Sequence, residues 1–366
     1  MRVLVTGGAG YIGSHTVLLL LQQGYEVHVY DSLANSSPEP LRRVAEIVGR
    51  SCQLHIGDLL NESKLLTTLR QIHPDAVVHF AGLKAVGESV VEPLRYYRNN
   101  VIGTINLLEA MQDVGVKNFV FSSSATVYAE SSELPLRESS TLAASSPYGR
   151  TKLHIEQILQ DLSTSDDGWA IASLRYFNPV GAHPSGHIGE DPQGTPNNLM
   201  PFVAQVAVGR RENVKIFGDD YPTHDGTGVR DYIHVMDLAQ GHVDALDYLA
   251  ERFGVFTWNL STGTGSSVKD VIAAFGRASG KEIPHQVVAR RPGDIAEYYG
   301  DPTDARLQLG WKAENGIEDM AQDMWAWQSK NPHGYNCSFP CEDEDEVNAY
   351  IAQGVEVYSL TEKKEP

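Results

Sequence analysis

The chain has 366 residues, of which 42% are hydrophobic, and this size suits two domains or one large α/β unit with an insertion. Its formal net charge of −18 would repel nucleic acid phosphates and anionic membranes, so we expect neither as a partner. The three cysteines give no disulfide framework, and Cys337 and Cys341 have no histidine close after them, so we expect no metal site.

The first residues, MRVLVTGG, indicate a strand and not a signal peptide. The apolar run VLLLL at residues 17–21 is far too short to cross a bilayer. Together with the low cysteine content, these features favour a cytoplasmic protein.

Strands and helices alternate through the first half of the chain. Helices are expected at 12–23, after PEPLRRV, at 94–114 and at 147–162. β-branched runs predict strands at 2–6, 26–31, 52–58, 75–82, 118–124 and 169–177. This alternation predicts a parallel sheet covered by helices on both faces.

A glycine-rich turn directly follows the first strand and opens the first helix. Gly7, Gly10 and Gly13 are spaced G-x-x-G-x-x-G, and Gly8 with the last two gives G-x-G-x-x-G. Such a turn lets the backbone approach a pyrophosphate, which the helix N-terminus then binds. The context predicts a doubly wound sheet of the Rossmann type with a dinucleotide site, and the alternative is a structural turn without a cofactor.

Asp31 ends the second strand, at about the ~20-residue spacing expected for a carboxylate that binds the adenine ribose. No arginine or lysine follows it in DSLANSSPEP, which favours NAD over NADP. Asp58 ends the third strand, where it meets the adenine or, as an equal alternative, caps a helix.

Tyr148 and Lys152 lie four positions apart at the start of a predicted helix, and therefore on one helical face. The preceding strand ends in Ser122, Ser123 and Ser124 at the edge of the sheet where ligands bind. Taken alone the pair is typical of a solvated surface, but beside a dinucleotide site it predicts alcohol oxidation, with the tyrosine as base.

A free tyrosine titrates at about 10, and moving it toward about 7 takes roughly 4 kcal/mol. A lysine charge about 6 Å away at an effective dielectric of about 20 contributes roughly 2.8 kcal/mol. We therefore expect a lowered pKa for Tyr148, with the remainder supplied by the nicotinium charge and a serine hydrogen bond.

After residue 177 the sequence is rich in Gly, Pro and Asn, and such long irregular segments tend to be functional. Helices are expected near 198–209, 235–250, 267–279 and 316–329, with a strand at VKIFG. Ser267 and Asp270 predict a helix N-cap and not a phosphate loop. The last thirty or so residues carry the acidic run CEDEDE, which predicts a weakly ordered, solvated tail.

The chain from residue 1 to about 335 resembles the extended short-chain dehydrogenase/reductase superfamily, and within it the UDP-galactose 4-epimerase family. The segments that carry the resemblance are TGGAGYIGSHT, HFAGLKAVGES, SSSATVY, SPYGRTK, RYFNPVGAHPSG, PNNLMP, DGTGVRDYIHVMD and RRPGD. It implies an NAD-binding domain at 1–177, a smaller α/β domain for the UDP-sugar at 178–335 and an acidic tail at 336–366. It also implies a homodimer that interconverts UDP-galactose and UDP-glucose in galactose metabolism, through a 4-keto intermediate and tightly held NAD.

The resemblance assigns roles to individual residues. Tyr148 is the base, Lys152 tunes it and binds the nicotinamide ribose, and Ser124 hydrogen-bonds the sugar hydroxyl. The implied NAD positions are Gly7, Gly10, Tyr11, Ile12, Gly13, Asp31, Asn35, Ser36, Asp58, Leu59, Phe80, Ala81, Gly82, Leu83, Lys84, Asn99 and Phe177. The implied UDP-sugar positions are Asn178, Asn198, Leu199, Lys215, Ile216, Phe217, Arg230, Arg291, Asp294 and Tyr298.

Two of these positions also follow from the charge of the ligand. A diphosphate bound by an acidic protein needs fixed guanidinium groups, which Arg230 and Arg291 can supply. The alternative is that each arginine forms a bridge to a carboxylate, with Asp231 and Asp294 nearby. By the resemblance, Tyr298 is also the wall position that decides whether N-acetylated sugars are accepted.

Two other functions have to be weighed against epimerisation. A nucleotide-sugar 4,6-dehydratase needs further acid and base groups beside the serine, where this chain has Ala125 and Thr126. An NAD-binding regulatory protein without turnover has no need of Tyr148, Lys152 and Ser124 together.

Overall fold

The computed structural model describes residues 1–291, 293–335 and 343–362. Its strands are β1 (Arg2–Thr6), β2 (Glu26–Asp31), β3 (Gln53–Ile56), β4 (Ala76–His79), β5 (Asn118–Ser122), β6 (Ala170–Tyr176), β7 (Asn178–Val180), β8 (Val214–Phe217), β9 (Val229–Arg230), β10 (Tyr232–His234), β11 (Gly254–Leu260), β12 (Ser266–Ser267), β13 (His285–Val288) and β14 (Glu297–Tyr298). Its α-helices are α1 (Tyr11–Gln22), α2 (Glu39–Val48), α3 (Glu62–Ile72), α4 (Val86–Val91), α5 (Pro93–Tyr96), α6 (Gly103–Val114), α7 (Pro147–Ser165), α8 (Leu199–Ala207), α9 (Val235–Leu249), α10 (Val268–Ser279), α11 (Thr303–Leu309), α12 (Ile317–Lys330) and α13 (Glu344–Glu362). A π-helical turn covers Tyr97–Ile102 and a 3-10 turn covers Ala125–Val127.

Seven parallel strands form the main sheet in the order β3-β2-β1-β4-β5-β6-β11. Val3, Leu4 and Val5 of β1 are all buried, as expected of a central parallel strand covered on both faces. The strand order reverses between β1 and β4, which opens a crevice outside their carboxyl ends. The predicted doubly wound α/β fold is thus confirmed.

Helices cover the sheet on both sides. Leu18 of α1, Val44 of α2 and Leu246 of α9 belong to the core on one face. Leu69 of α3 and Met111 of α6 belong to the core on the other face, together with Leu159 of α7. The helices thus bury an apolar layer on each side of the sheet, and its strand ends carry the polar residues.

The chain returns to the main sheet after residue 177. Strand β11, which the sequence analysis does not predict, pairs in parallel with β6 from Gly254 opposite Ala170 to Leu260 opposite Tyr176. Helix α9 packs against α1 on the sheet. Both elements lie beyond residue 177, and their partners β6 and α1 lie far away along the chain.

A smaller core lies beside the sheet and unites α8, α10 and α12 with β8. Met200, Phe275 and Trp327 are buried at its centre. The predicted N-cap of α10 is present, since the Ser267 hydroxyl accepts from the Asp270 N–H at 3.0 Å and the Asp270 carboxylate accepts from the Ser267 N–H at 2.9 Å.

The expectation of a weakly ordered C-terminal tail is wrong for residues 343–362, most of which form α13. This helix packs against α2 and buries Val347 and Ile351 completely. The Asn348 side chain accepts from the Leu54 N–H at 2.7 Å and donates to the Leu54 carbonyl at 2.9 Å. Val347 and Ile351, four positions apart, form an apolar stripe that packs α13 against α2. The acidic residues around them made this pattern hard to recognise in the sequence. Cys337 and Cys341, and the prediction that they bind no zinc, lie outside the described residues.

The helices have a bearing on membrane association. Within 1–291, 293–335 and 343–362, no helix combines the length and the apolar character needed to cross a bilayer.

Candidate active site

The glycine turn has the close backbone packing that a pyrophosphate site requires. Gly7 has φ +70°, and a Cβ there would lie 2.7 Å from the Ala81 nitrogen. A Cβ on Gly13 would lie 2.3 Å from the Gly7 carbonyl oxygen. Gly10 is the N-cap of α1, and because it has no side chain, nothing of its own covers the first turn of the helix. The positive end of α1 therefore faces the crevice, with Tyr11 and Ile12 in its first turn, and this geometry fits a dinucleotide.

Asp31 lies at the end of β2 beside this turn. Its carboxylate accepts from the Ala9 N–H at 3.0 Å, the Leu33 N–H at 2.9 Å and the Ser36 hydroxyl at 3.0 Å. Burial raises the pKa of the Asp31 carboxyl above its ordinary value. The three hydrogen bonds reduce this rise but do not cancel it. A carboxylate has about four acceptor sites, so room remains for a ribose hydroxyl. Asp31, Ser36 and the neighbouring Asn35 are thus brought to the glycine turn.

Asp58 and Leu59 lie after β3 at the same edge of the sheet. Asp58 is exposed and its Oδ1 accepts from the Leu60 N–H at 2.9 Å. The helix-cap alternative for Asp58 is wrong, because Asn61 caps α3 and accepts from the Lys64 N–H. Leu59 is buried, and its carbonyl accepts from Asn106 of α6.

The loop Phe80–Lys84 follows β4 and is held from the π-helical turn. The Asn100 side chain accepts from the Leu83 N–H at 2.8 Å and donates to the Leu83 carbonyl at 3.0 Å. A Cβ on Gly82 would lie 3.2 Å from the same side chain. The predicted helix 94–114 thus contains a π turn, a feature frequent at functional sites, and Asn99 precedes Asn100 within it.

Lys84 and Glu190 form an ion pair at 3.0 Å between Nζ and Oε1. The lysine side chain is largely exposed and the glutamate is buried. The second oxygen, Oε2, has no hydrogen-bond partner among the described residues. The buried Glu190 carboxylate therefore holds the exposed ammonium group of Lys84 in place.

The first turn of α7 positions Tyr148. Ser146 is the N-cap and accepts from the Gly149 N–H, and Pro147 occupies the first helical position, where its missing N–H costs nothing. The Tyr148 N–H donates to the Ser89 hydroxyl at 3.1 Å. Lys152 is buried with its Nζ 5.9 Å from the centre of the Tyr148 ring. Tyrosine and lysine therefore face the same side, as the four-residue spacing predicts.

The structure separates the three candidate serines. The Ser122 hydroxyl bonds to Tyr176, and the Ser123 hydroxyl donates to Glu156. Ser124 is the one that meets Tyr148, and its Oγ accepts from the Thr126 hydroxyl at 3.0 Å.

The pKa of Tyr148 differs from the prediction. Burial raises this pKa to about 12, and the hydrogen bond with Ser124 lowers it by less. Burial also lowers the pKa of Lys152 to about 8, and the negative charge of Glu156 works against that change. The four-residue spacing gives the distance between Tyr148 and the lysine charge. It does not show that the phenol is desolvated, and desolvation favours the neutral form of the phenol.

Tyr298 forms a wall next to Ser124. Its hydroxyl donates to the carbonyl of Ala125 at 2.7 Å, and its ring lies 5.9 Å from that of Phe177. The neighbouring strand β7 begins at Asn178, whose N–H donates to the Asp231 carbonyl. Tyr298 is therefore brought beside the Ser124 segment, with Phe177 packed against it and Asn178 next in the chain.

The two arginines differ in their partners. Arg230 lies opposite Tyr298 in the pairing of β9 with β14, and its Nη1 donates to the Val229 carbonyl at 2.8 Å. Asp231 accepts from Thr262 and Gly300 instead, and it does not bridge to Arg230. Arg291 does form the predicted bridge, with 2.9 Å between its Nε and Asp294 Oδ2. A bound diphosphate would compete with that exposed bridge.

The remaining predicted residues gather around α8 and β8. Arg291 lies over the ring of Phe217 at 4.5 Å. Asn198 is exposed as the N-cap of α8, and Lys215 is exposed on β8. Leu199 and Ile216 pack into the smaller core, so they present mainly backbone to a ligand.

Sequence reasoning missed Asn100, Glu190 and Glu156. Asn100 holds the loop Phe80–Lys84, Glu190 pairs with Lys84, and Glu156 accepts from Ser123. Asn100 and Glu156 stand among other polar residues, in YRNNVI and LHIEQ, so no contrast in the sequence singles them out. Glu190 lies in an irregular segment, where the sequence offers no such contrast either.

Comparison with known proteins gives matches over most of the chain. The sequence profile of the family described as GDP-mannose 4,6 dehydratase matches residues 4–324. A UDP-glucose 4-epimerase of Bacillus subtilis (strain 168) is 57% identical over 335 residues, which cover 92% of this chain and 99% of that protein. A UDP-glucose 4-epimerase of Mus musculus is 56% identical over 341 residues, which cover 91% and 98%. The crystal structure of UDP-glucose 4-epimerase from Bifidobacterium longum in complex with NAD+ and UDP has a TM-score of 0.88 and 51% identity, and covers 91% of this chain and 100% of that chain.

Proposed function

Because the chain belongs to the UDP-glucose 4-epimerase family, we propose that it interconverts UDP-galactose and UDP-glucose at C4, using the site built around Tyr148. The reaction passes through a 4-keto sugar and belongs to galactose metabolism. The observation that carries the proposal is the meeting of Tyr148, Ser124 and Lys152 beside the glycine turn, in a chain 57% identical to a named epimerase.

Three residues of the chain transfer the proton or stabilise the charges that this transfer creates. Tyr148 takes the proton of the C4 hydroxyl and, after the keto sugar has turned to present its opposite face, returns that proton to the C4 oxygen. Ser124 donates to the oxygen that carries the developing charge. The Lys152 cation stabilises the phenolate, which its burial alone disfavours.

NAD fits the site because the glycine turn leaves no room for a Cβ and the end of α1 is open to an anion. We assign its pyrophosphate to Gly7, Gly10, Tyr11, Ile12 and Gly13, its adenosine to Asp31, Asn35, Ser36, Asp58 and Leu59, and the rest to Phe80–Lys84, Asn99, Ser124, Tyr148, Lys152 and Phe177. When bound, NAD supplies the hydride acceptor for C4 and a positive charge that favours loss of the phenol proton.

The UDP-sugar is assigned to the other side of the crevice. Arg230 and Arg291 supply the cations for the diphosphate, and the backbone of Lys215, Ile216 and Phe217 borders the nucleotide. The remaining contacts are assigned to Ser124, Tyr148, Asn178, Asn198, Leu199, Asp294 and Tyr298. Turning of the keto sugar requires tight binding of the nucleotide and loose binding of the sugar ring.

A 4,6-dehydratase is the nearest alternative, because the matching family profile carries that name. Removal of water needs an acid and a base beside the serine. Here Ala125 follows it and binds Tyr298 through its carbonyl, and the Thr126 hydroxyl donates to Ser124. An NAD-binding protein without turnover is the alternative from another class, and it gives no reason for the buried Tyr148 and Lys152 to share one side of α7.

We also propose that two copies form a homodimer through the face built by α4, α5 and the π turn. Exposed apolar side chains concentrate there, and Val91 and Leu94 are 79% and 82% exposed. Their neighbours on this face are Val86, Val90 and Ile102. Such patches mark interfaces. Light scattering should give twice the chain mass for the native protein and a smaller mass for Leu94→Glu; equal masses would argue for another interface.

A cytoplasmic location is supported by Cys52, a buried free thiol. Fractionation of cells should find the activity with the cytosolic marker enzymes. Recovery with secreted proteins would contradict this location.

The experiment that tests the function is incubation of the purified protein with UDP-galactose without added cofactor. UDP-glucose should accumulate until equilibrium. A 4-keto-6-deoxy product would support the dehydratase, and an unchanged substrate with and without added NAD would support the binding protein.

A further inference from the structure

Glu156 lies four residues after Lys152 on α7 and is buried. Its carboxylate is bound by Arg175 of β6 through two parallel bonds, Nε to Oε1 at 3.0 Å and Nη2 to Oε2 at 2.6 Å. Both side chains are almost completely buried. Two-point guanidinium binding of this kind fixes the orientation of the carboxylate as well as its position.

The arginine is itself anchored on its far side. Its Nη1 donates to the Tyr128 hydroxyl and to the Glu138 carbonyl, each at 3.1 Å. Tyr128 in turn donates to Asn259 of β11 at 2.6 Å. The position of Glu156 is therefore set by β6, β11 and the segment after β5, and not by α7 alone.

Glu156 reaches the catalytic group by two routes. Its Oε1 accepts from the hydroxyl of Ser123, the residue before Ser124. Glu156 also lies one helical turn after the buried Lys152, whose amine donates to the Ser122 carbonyl at 2.7 Å, and without forming a direct ion pair its negative charge opposes the lowering of the Lys152 pKa. One carboxylate thus contacts the serine segment and influences the lysine.

The other groups around Lys152 give it no negative charge at neutral pH. Burial and the lysine charge lower the pKa of His79 on β4 to about 3, so its ring is neutral. Burial raises the pKa of both Tyr148 and Tyr176, so these phenols keep their protons. Arg175 is positive and paired. Among the described groups that face the amine, Glu156 is the one that is anionic.

We propose that Glu156 is a positioning residue for the epimerisation: its carboxylate keeps Lys152 positively charged and holds Ser123, and with it Ser124, in place. This proposal rests on the proposed function, in which the Lys152 cation stabilises the phenolate of Tyr148. The alternative is an ordinary ion pair that only ties α7 to β6.

The test is the pH profile of kcat for Glu156→Gln, which keeps the shape and removes the charge. Lys152, with its pKa lowered to about 8, is protonated below that pH and neutral above it, so kcat should fall on the alkaline side. Without Glu156 this alkaline limb should move to lower pH by roughly one pH unit, as expected for the loss of a nearby opposite charge. KM for UDP-galactose and the amount of bound NAD should stay within twofold.

Glu138→Gln is the matched control. Its carboxylate is on the same network and accepts from the Asn259 N–H, but it does not contact Ser123. Its kcat profile should superimpose on the native one. A displaced limb in this control would show that the network as a whole, and not Glu156, sets the profile.

Glu156→Gln leaves Arg175 without its anion, which can prevent folding. The double variant Glu156→Gln with Arg175→Met removes both buried charges, a change that proteins often tolerate. It should also move the limb to lower pH. A folded variant with bound NAD whose limb stays at the native pH overturns the proposal, even if activity falls by the same factor at every pH. Absence of turnover in the native protein would instead contradict the proposed function.

Discussion

The phenol of Tyr148 is buried, and burial opposes the charge that a general base must carry. Its pKa is raised to about 12 in the chain alone, although Ser124 and Lys152 are both near. In its proposed role, Tyr148 therefore becomes an effective base only when substrate and cofactor complete the site. Such coupling would keep the phenol unreactive between turnovers.

Replacement of Tyr148 by phenylalanine tests this role. The ring is buried at the start of α7, so Tyr148→Phe should fold and keep its bound NAD. Turnover of UDP-galactose should fall by at least about 10²-fold, the usual effect of removing an acid–base group. Activity and dinucleotide content are measured on the same preparation, and near-native turnover would assign the base elsewhere.

Tyr298 should limit the size of the sugar. It stands against Phe177 and is tied to Ala125, next to Ser124, so an acetamido group on C2 would press against a fixed ring. Overpacking of this kind costs roughly 1–3 kcal/mol. We expect good use of UDP-galactose, poor use of UDP-N-acetylgalactosamine, and a gain for the acetylated sugar in Tyr298→Cys.

Tyr299→Cys is the control for this prediction, because the adjacent tyrosine is the other candidate for the wall. Both sugars are compared by kcat/KM in the native protein and in the two variants. Equal use of both sugars by the native protein, or a gain confined to Tyr299→Cys, would move the size limit away from Tyr298.

The residues that the sequence identifies are those whose chemistry is local. Tyr148 and Lys152 share one helical face, and Gly7 and Gly13 share one turn, so spacing alone predicts their meeting. Glu156 and Arg175 meet across a helix and a strand, and Lys84 and Glu190 are 106 positions apart. Contacts of that kind depend on the packing of whole elements, which a single sequence does not show.

At the scale of elements, the strands and helices of the first half follow their patterns closely. The main departure is the helix expected at 94–114, where the π turn interrupts the α pattern so that Asn100 can bind the loop after β4. Strand β11 was missed because GVFTWNL has no neighbouring strand in sequence to pair with, and its partner β6 lies 84 positions earlier (Gly254 opposite Ala170).

Helix α13 changes what is expected of a shortened chain. From the acidic run alone, ending the chain after Tyr335 would leave stability and activity nearly unchanged. The helix buries Val347 and Ile351, and each such side chain contributes roughly 1.5–3 kcal/mol before the cost of ordering the helix. The shortened chain should therefore melt at least about 2 °C lower.

A single substitution separates docking from chain length. Asn348→Ala leaves the Leu54 N–H and carbonyl without the side-chain partner and should lower the melting temperature, whereas Gln353→Ala on the exposed side of α13 should not. Calorimetry gives the melting temperatures of the chain ended after Tyr335, of Asn348→Ala, of Gln353→Ala and of the native protein. Equal melting temperatures for all four would show that α13 does not dock in solution.

At the scale of the whole molecule, an acidic chain has to bind two anionic ligands. The net charge of −18 repels both at long range. We assign the local attraction to the N-terminus of α1, to Lys84, and to Arg230 and Arg291, although Lys84 and Arg291 are also paired with carboxylates. Association should therefore become faster as added salt screens the long-range repulsion.

The closed reaction cycle predicts that NAD stays with the protein. The dinucleotide is regenerated at each turnover, and the turn around Gly7 and Gly13 is built too closely for any other residue. Denatured, purified protein should release NAD in a stoichiometric amount, measured by absorbance, and turnover should need none in solution. Protein free of dinucleotide, or consumption of NAD with product, would contradict this prediction.

Two strands of the main sheet, β6 and β3, gain their outer partners late in the chain, which has a consequence for synthesis on the ribosome. Strand β6 gains its outer neighbour β11 only when residues 254–260 have emerged. The Leu54 N–H and carbonyl on β3 gain their side-chain partner only with Asn348, 294 positions later. At about 5–20 residues per second, the second interval lasts roughly 15 to 60 seconds. Through that time the nascent chain carries open strand edges, which are templates for aggregation. Conditions that stall translation between these points should therefore make this protein especially dependent on chaperones.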